Sequence, residues 1–157
     1  MFACIAILGI IAFFLFYPSE EPSYPLDGKV SFPSSVKNGD NFDFVVTLTN
    51  STEEPIFIKH IVLHNFLTAP SIFDGSRLLS VEPNMDSESL GSRDDLQFAY
   101  FQEIKPGETI TFNFHLQAEN IGTYYEDVGV YAKDPSKPDP AFIAAFQYST
   151  AQIEVTP

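Results

Sequence analysis

Two segments of the sequence alternate strictly between apolar and polar side chains, and this pattern constrains the fold more than any other feature. The apolar positions are Phe42, Phe44, Val46 and Leu48 in one segment and Ile110, Phe112, Phe114 and Leu116 in the other. Successive side chains of a β-strand point to opposite faces, so a period of two gives each segment one buried face. The sequence therefore predicts two half-buried strands, over residues 41–50 and 109–118, and favours an all-β protein.

Further strand-like stretches surround these two. They lie at residues 29–32, 56–64, 77–81, 96–101, 123–132 and 141–155. Apart from the stretch at 77–81, residues 65–95 are irregular and rich in turn-forming residues, so we expect a long loop there. Seven or eight strands in one domain predict an antiparallel β-sandwich of the immunoglobulin-like kind.

The connections between the predicted strands contain turn-forming residues. Gly39, in an Asn-Gly-Asp sequence, offers a position able to take a positive φ. Residues 105–108 read Lys-Pro-Gly-Glu, with Pro at the second place and Gly at the third, which is the preference of a type II turn. Both segments therefore predict tight connections next to the two alternating strands.

The spacing of these residues resembles the immunoglobulin-like modules of bacterial and archaeal cell surfaces, of the CARDB and NEW3 type. The resemblance covers most of residues 30–155. It is carried by Val36, Gly39, Asp40, Phe42, Phe44, Val46, Leu48, Thr49, Asn50 and Ser51, then Ile104, Pro106, Gly107, Glu108, Thr109 and Phe112, then Gly122, Thr123 and Tyr124. It implies a surface-exposed sandwich and names no ligand, because such modules share packing and turns while their partners differ.

Residues 1–17 (MFACIAILGIIAFFLFY) contain no charged side chain. As a helix, 17 residues extend about 25 Å, at the short end of what crosses a bilayer core of ~30 Å. No Lys or Arg precedes the run and no small-x-small site ends it, so we expect an uncleaved transmembrane anchor rather than a cleaved signal peptide. In that case the whole run, from Met1 to Tyr17, contacts membrane lipid. The missing basic cluster leads to the hypothesis that Met1 is not the native start, which N-terminal sequencing of the native protein tests.

Residues 18–27 (PSEEPSYPLD) hold three prolines and form the predicted stiff spacer between the anchor and a domain at residues 28–157. Glu20 and Glu21 lie just beyond Pro18, on the C-terminal side of the apolar run. Because acidic residues flank its C-terminal side and no basic residue does, we expect the C-terminal domain outside the cytoplasm.

The charge balance and the cysteine count exclude several classes of function. Lys and Arg number 8 against 21 Asp and Glu, which gives a net charge of −13. Such a surface is unsuited to nucleic-acid phosphates, which require clustered basic residues. Cys4 is the single cysteine, so no intramolecular disulfide forms.

A soft-metal site is the alternative function that the sequence leaves open. His60 and His64 have the H-x-x-x-H spacing, and His115 and Met85 would complete a ligand set of the kind that binds copper or zinc outside the cytoplasm. On a strand, however, four residues span roughly 13 Å, too far for both His60 and His64 to reach one ion. The main prediction is therefore no metal and no cofactor.

No catalytic motif is present: G-x-S-x-G, the P-loop and G-x-G-x-x-G are all absent from the sequence. Aromatic residues exceed the need of one sandwich face, and neighbours on a strand point to opposite faces. The candidates for contact with a partner are Tyr100, Phe101, Tyr124, Tyr125 and Tyr148. We therefore expect a binding module rather than an enzyme, acting as an accessory subunit with a protein partner in the membrane or cell envelope.

Overall fold

The computed structural model describes residues 24–64, 76–85, 87–88, 95–134, 136 and 141–157. Within these residues the chain forms ten β-strands, β1 to β10. Their bounds are Leu26–Ser31, Ser35–Lys37, Asn41–Asn50, Ile56–His64, Ser76–Glu82, Ser87–Glu88, Asp95–Ile104, Thr109–Ala118, Gly122–Lys133 and Phe142–Thr156. The predicted transmembrane helix over residues 1–17 lies outside the described residues. In the described part of the chain, no helix has the length and apolarity to span a membrane.

The strands form two sheets. Sheet A has the order β1-β3-β8-β5, and sheet B has the order β2-β10-β9-β4-β7-β6. All pairings are antiparallel except that of β2 with β10, where residues 35–37 run parallel to residues 154–156. The predicted antiparallel β-sandwich is confirmed, and its strand count is corrected: β2 and β6 are too short, at three and two residues, to show a period of two.

The two alternating segments form the centre of sheet A. Strands β3 and β8 have the predicted bounds and pair from Asn41 with Gln117 to Thr49 with Thr109. Their predicted inner positions Phe44, Phe112 and Phe114 are fully buried. Period-two patterning therefore predicted both the position and the buried face of these strands.

The core consists of aromatic side chains from both sheets. Phe98 of sheet B lies with its ring centroid 5.2 Å from that of Phe114 in sheet A, and Phe44 contacts Phe114 edge to face at 6.5 Å. Phe32, after β1, stacks on Phe44 at 5.5 Å. Offset and edge-to-face aromatic pairs add about 0.5–1.5 kcal/mol each beyond their buried area. With no disulfide among the described residues, this packing joins the two layers.

A tight turn precedes each of the two central strands, as the sequence predicted. Gly39 lies between β2 and β3, and residues 105–108 lie between β7 and β8. Gly39 has φ +89° and Gly107 has φ +75°, both in the left-handed region that favours glycine. The 105–108 turn closes with a backbone hydrogen bond from the Glu108 N–H to the Lys105 carbonyl at 2.9 Å.

Strand β1 begins at Leu26, whose side chain is buried. The sandwich therefore takes in the last two residues of the predicted spacer at 18–27. Tyr24 fixes the entry of the chain, since its hydroxyl donates a hydrogen bond to Gln147 Oε1 at 2.6 Å. Within the predicted irregular segment at 65–95, the structure describes β5, β6 and the start of β7.

Candidate interaction surface

The outer face of sheet A is a polar ladder. Across β3 and β8, the hydroxyl oxygens of Thr49 and Thr109 are 2.9 Å apart, and Asp43 Oδ1 lies 2.8 Å from His115 Nδ1. Arg77 on β5 donates a hydrogen bond to Gln117 Oε1 at 2.7 Å. Cross-strand pairs of hydrogen-bonded polar side chains of this kind stabilise a sheet in contact with water. This face is therefore a solvated one.

The outer face of sheet B has a different character. Residues in direct register share a face, and two adjacent rows across β10, β9, β4 and β7 carry no acid, Lys or Arg. One row is Ala144, Tyr131, His60 and Ala99, and the next is Gln147, Gly129, Val62 and Gln97. Val62 is 6% exposed although it points away from the core cluster. In a chain of charge −13, two uncharged rows distinguish this surface, which we call the sheet B face.

Two aromatic pairs lie on the sheet B face. His60 and Phe101 meet edge to face with ring centroids 5.5 Å apart, and Tyr131 and Phe142 do so at 5.6 Å. Phe101 is 52% exposed and Phe142 is 55% exposed, so in each pair one ring extends into solvent. Exposed aromatic rings beside small and uncharged residues are typical of a contact surface.

Phe101 has an unusual backbone. Its φ is +49°, and no other non-glycine residue in the described ranges has a positive φ. The register between β4 and β7 shifts here, since Ile58 pairs with Gln102 and His60 with Ala99. Two residues of β7, Tyr100 and Phe101, thus lie opposite the single residue Lys59, which is the arrangement of a β-bulge. A bulky residue rarely adopts this conformation, so the bulge holds Phe101 outward against its own preference.

The structure separates the five predicted aromatic candidates into two groups. Tyr100, Tyr124 and Tyr148 are partly buried and pack against the core cluster. Phe101 and Tyr125 point away from the core and are 52% and 54% exposed. The alternation of neighbouring aromatics therefore places one member of each adjacent pair outside, as strand geometry requires.

The inward candidates have structural contacts. The ring of Tyr100 meets that of Phe112 edge to face at 5.1 Å, and the Tyr124 hydroxyl donates a hydrogen bond to the Asn120 carbonyl at 3.2 Å. Burial, and to a smaller degree the nearby Glu108 carboxylate, raises the pKa of Tyr100 above its ordinary value. Tyr100 therefore stays protonated at neutral pH and acts as a packing residue.

The described members of the alternative metal set, His60, His115 and Met85, lie apart from one another. His115 lies on the outer face of sheet A beside Asp43, whereas His60 lies on the outer face of sheet B. Two packed sheets are about 10 Å apart, and outward side chains diverge further. Met85 is 8% exposed and belongs to the core, while the side chain of His64 lies outside the described residues. Among the residues that the structure describes, no group of three or more His, Cys, Asp or Glu side chains is placed to hold a metal ion.

A cleft of about 390 Å³ lies at one end of the sandwich. Its lining is mostly apolar and comes from the entry of the chain, the β3–β4 loop, the end of β9 and the start of β10. The lining residues are Pro25, Glu54, Pro55, Ile56, Phe57, Ala132, Lys133 and Ile143. We call this end of the sandwich, where the chain enters at Tyr24, the entry end.

Asn50 holds the wall of this cleft in place. Its side chain is fully buried, and its Nδ2 donates hydrogen bonds to the carbonyls of Glu54 and Ile104, both at 2.8 Å. Its Oδ1 accepts hydrogen bonds from the N–H and the hydroxyl of Thr52, at 3.0 and 2.7 Å. Asn50 therefore connects the end of β3 to the β3–β4 loop and to the end of β7.

Phe142 and Ile143 are surface residues that the sequence did not mark as contact candidates. Both open β10, where the pairing of Phe142 with Lys133 directs the phenyl ring to the sheet B face. Ile143 is 38% exposed although it pairs with the buried Ala132. The sequence signal available was weak, because an apolar pair at the start of a strand is equally typical of a core.

No protein-family model and no curated protein matches this chain. Among solved structures, it is similar to a cohesin module from the family 33 glycoside hydrolase of Clostridium perfringens ATCC13124. The identity is 9% over 85% of this chain and 98% of the module, with a TM-score of 0.54. A second similar structure is AvmM, which catalyzes macrocyclization in alchivemycin A biosynthesis, at 10% identity over 87% of this chain and 97% of AvmM, with a TM-score of 0.49.

The class of protein that follows is an all-β, immunoglobulin-like sandwich with a cohesin module as a structural neighbour. At 9% identity the likeness shows the fold alone, because one such fold supports many unrelated functions.

Proposed function

We propose that this protein is a membrane-anchored, extracytoplasmic binding module that acts as an accessory subunit of a membrane or cell-envelope complex. In this proposal residues 1–17 form the anchor, and the sandwich is a cell-surface module of the CARDB or NEW3 type. The support from the sequence is the uncharged apolar run followed by an acidic, proline-rich segment. The sandwich then binds a protein partner rather than carrying out a reaction.

Phe101 is the observation that carries the proposal. Its ring is 52% exposed at a φ of +49°. The left-handed conformation costs an L-residue about 1–2 kcal/mol, and an exposed ring regains little of that by burial. Strained backbone positions cluster at binding sites, where they direct a side chain toward its ligand. Phe101 is thus better explained by contact with a partner than by the stability of the isolated domain.

The sheet B face supplies the rest of the proposed contact. Tyr125 is 54% exposed on the same outer face, and the register row of Asp127, His64 and Asp95 separates it from the two uncharged rows, which lie nearer to Phe101. Interface centres are depleted of charged residues and enriched in aromatic ones. The polar ladder of sheet A lacks this character, so the partner is proposed to meet sheet B.

Site-specific photo-crosslinking in native membranes tests the proposal. A benzophenone amino acid replaces Phe101 or Tyr125 in the full-length protein, and matched control variants carry it at Thr47 or Thr111 on sheet A. We expect the two sheet B positions to form the same discrete adduct, and the sheet A positions to form none. Mass spectrometry then identifies the partner, and extraction in mild detergent measures its stoichiometry. Equal labelling from both sheets, or no adduct from either, contradicts the proposal.

A further inference from the structure

The chain enters the sandwich at a fixed place. Tyr24 is held to Gln147 by a 2.6 Å hydrogen bond, and Leu26 is buried at the start of β1. The same end carries the β3–β4 loop, the 105–108 turn and the start of β10. Pro25 lines the cleft at this end, so a chain that leaves the sandwich toward residues 1–17 starts from the entry end.

The distance from the apolar run to the entry end is short. Seven residue steps separate Tyr17 from Tyr24. At about 3.3–3.6 Å per residue, they reach at most about 25 Å even when fully extended. If residues 1–17 span a bilayer, the entry end therefore lies within about 25 Å of the point where the chain leaves the hydrocarbon.

The surface at the entry end suits a lipid interface. Ile143 is 38% exposed and lines the apolar cleft, and the preceding residue, Phe142, is 55% exposed on the sheet B face at the same end. Pro25 and Pro55 line the same cleft. Aromatic and aliphatic side chains gain free energy when they enter the headgroup boundary, where the apolar part leaves water.

The charges at this end select the kind of lipid. Exposed acids there are Asp27, Glu53, Glu54, Glu103 and Glu108, and exposed lysines are Lys105 and Lys133. Because the acids outnumber the lysines, an anionic headgroup is repelled. A zwitterionic surface is compatible with this balance, since its attraction depends on the apolar side chains rather than on net charge.

We propose that the entry end lies on the surface of the membrane, with Phe142 and Ile143 inserted among zwitterionic headgroups. The inference rests on the proposed anchor and deepens it by fixing which end of the sandwich meets the lipid. The far end, with the β8–β9 turn, then points away from the membrane. The sheet B face stands roughly along the membrane normal, available to a partner in the same membrane.

The absence of tryptophan from the chain makes a direct test possible. The full-length variants Phe142→Trp and Ile121→Trp are each reconstituted into phosphatidylcholine vesicles, with or without bromine on the acyl chains. Ile121 is the matched control because it is 59% exposed and lies in the β8–β9 turn at the far end. In the Phe142→Trp variant, we expect brominated lipid to quench the indole fluorescence and the emission to shift to shorter wavelength. The Ile121→Trp variant should keep both its intensity and its wavelength.

The outcomes separate this inference from the proposed function. If the protein floats with the vesicles and the Phe142→Trp variant is quenched no more than the Ile121→Trp variant, the inference is wrong and the anchor stands. If the protein does not float with vesicles, the anchor fails and the inference fails with it. If a crosslinker at position 142 labels a protein in native membranes and the indole there is not quenched in vesicles, the entry end contacts protein instead of lipid. Ile143→Trp repeats the measurement should Phe142→Trp fail to fold.

Discussion

Asn50 is the residue at which a small change should have the largest effect on stability. Its buried amide satisfies two carbonyls and the two donors of Thr52. A buried polar group left without a partner costs about 1–3 kcal/mol. We expect Asn50→Ala to lower the free energy of unfolding by at least about 2 kcal/mol, measured by urea titration of the full-length protein followed by circular dichroism.

Asn120 provides the control for this experiment. Its side chain is exposed, and the Asn120 carbonyl that accepts from Tyr124 belongs to the backbone. Asn120→Ala should change the free energy of unfolding by no more than about 0.5 kcal/mol. Equal effects of the two substitutions would show that the Asn50 hydrogen bonds do not hold the β3–β4 loop.

Phe101 gives a second prediction, in which removing a large side chain does not destabilise the protein. Glycine accepts a φ of +49° without strain, so Phe101→Gly regains about 1–2 kcal/mol of backbone energy. It loses the edge-to-face contact with His60 and some chain entropy, about 1–2 kcal/mol together. We expect the free energy of unfolding to stay within about 0.5 kcal/mol of the wild-type value.

Tyr125 is the matched comparison for Phe101. It is equally exposed but lies in the regular part of β9, where glycine costs about 1 kcal/mol. Tyr125→Gly should therefore destabilise the protein, whereas Phe101→Gly should not. A Phe101→Gly variant as destabilised as Tyr125→Gly would mean that the Phe101 ring stabilises the fold and is not held outward for a partner.

Turns are the elements that the sequence predicts most directly, because a glycine marks the position that needs a positive φ. Gly107 has φ +75°, and an added Cβ would meet nothing within 4 Å, so the cost of a substitution there is purely one of backbone conformation. We expect Gly107→Ala to lower the free energy of unfolding by about 1 kcal/mol or more. Asn tolerates the left-handed region better, so Gly107→Asn should lose less. The same urea titrations measure both, and an equal loss would contradict the conformational explanation.

Strand elements were predictable where the residues carry period two over many positions. The bounds of β3 and β8 follow from the sequence, because one buried face fixes both register and extent, whereas those of β4 follow from its long apolar run. Strands β2 and β6 did not follow, because two or three residues show no period and form only by pairing with a distant strand. Whether such short edge strands form depends on tertiary pairing and not on the local preference of their residues.

The candidate surface was only partly predictable, for a related reason. Alternation indicated that one of Tyr100 and Phe101 leaves the core, and it could not tell which, because the bulge opposite Lys59 arises from the pairing of β4 with β7. The uncharged rows of the sheet B face join residues from four strands. No sequence motif marks such a surface, since its members become neighbours only in the folded sheet.

Charge acts at the scale of the whole molecule. The net charge is −13, and exposed acids line both ends of the sandwich, whereas Arg77 and Glu119 form an exposed ion pair at 3.3 Å. Like charges spread over a compact domain repel one another, and folding brings them closer than the unfolded chain does. The folded state of this protein therefore carries an electrostatic penalty that depends on the ionic strength.

Salt should relieve that penalty. The screening length falls from about 30 Å at 0.01 M salt to about 3 Å at 1 M, so repulsion across the surface is nearly removed. We expect NaCl over this range to raise the free energy of unfolding at pH 7 by about 1 kcal/mol, or the melting temperature by roughly 4 °C. Thermal melts followed by circular dichroism measure the change.

The control for the salt effect uses the same melts near the sequence pI of about 4.3. There the net charge is small, so screening has little repulsion to relieve, and the gain should disappear. Salt also strengthens apolar burial through its effect on water, and that contribution does not depend on the net charge. A gain of equal size at both pH values would assign the effect to apolar burial and would show that the 13 excess negative charges do not destabilise the fold.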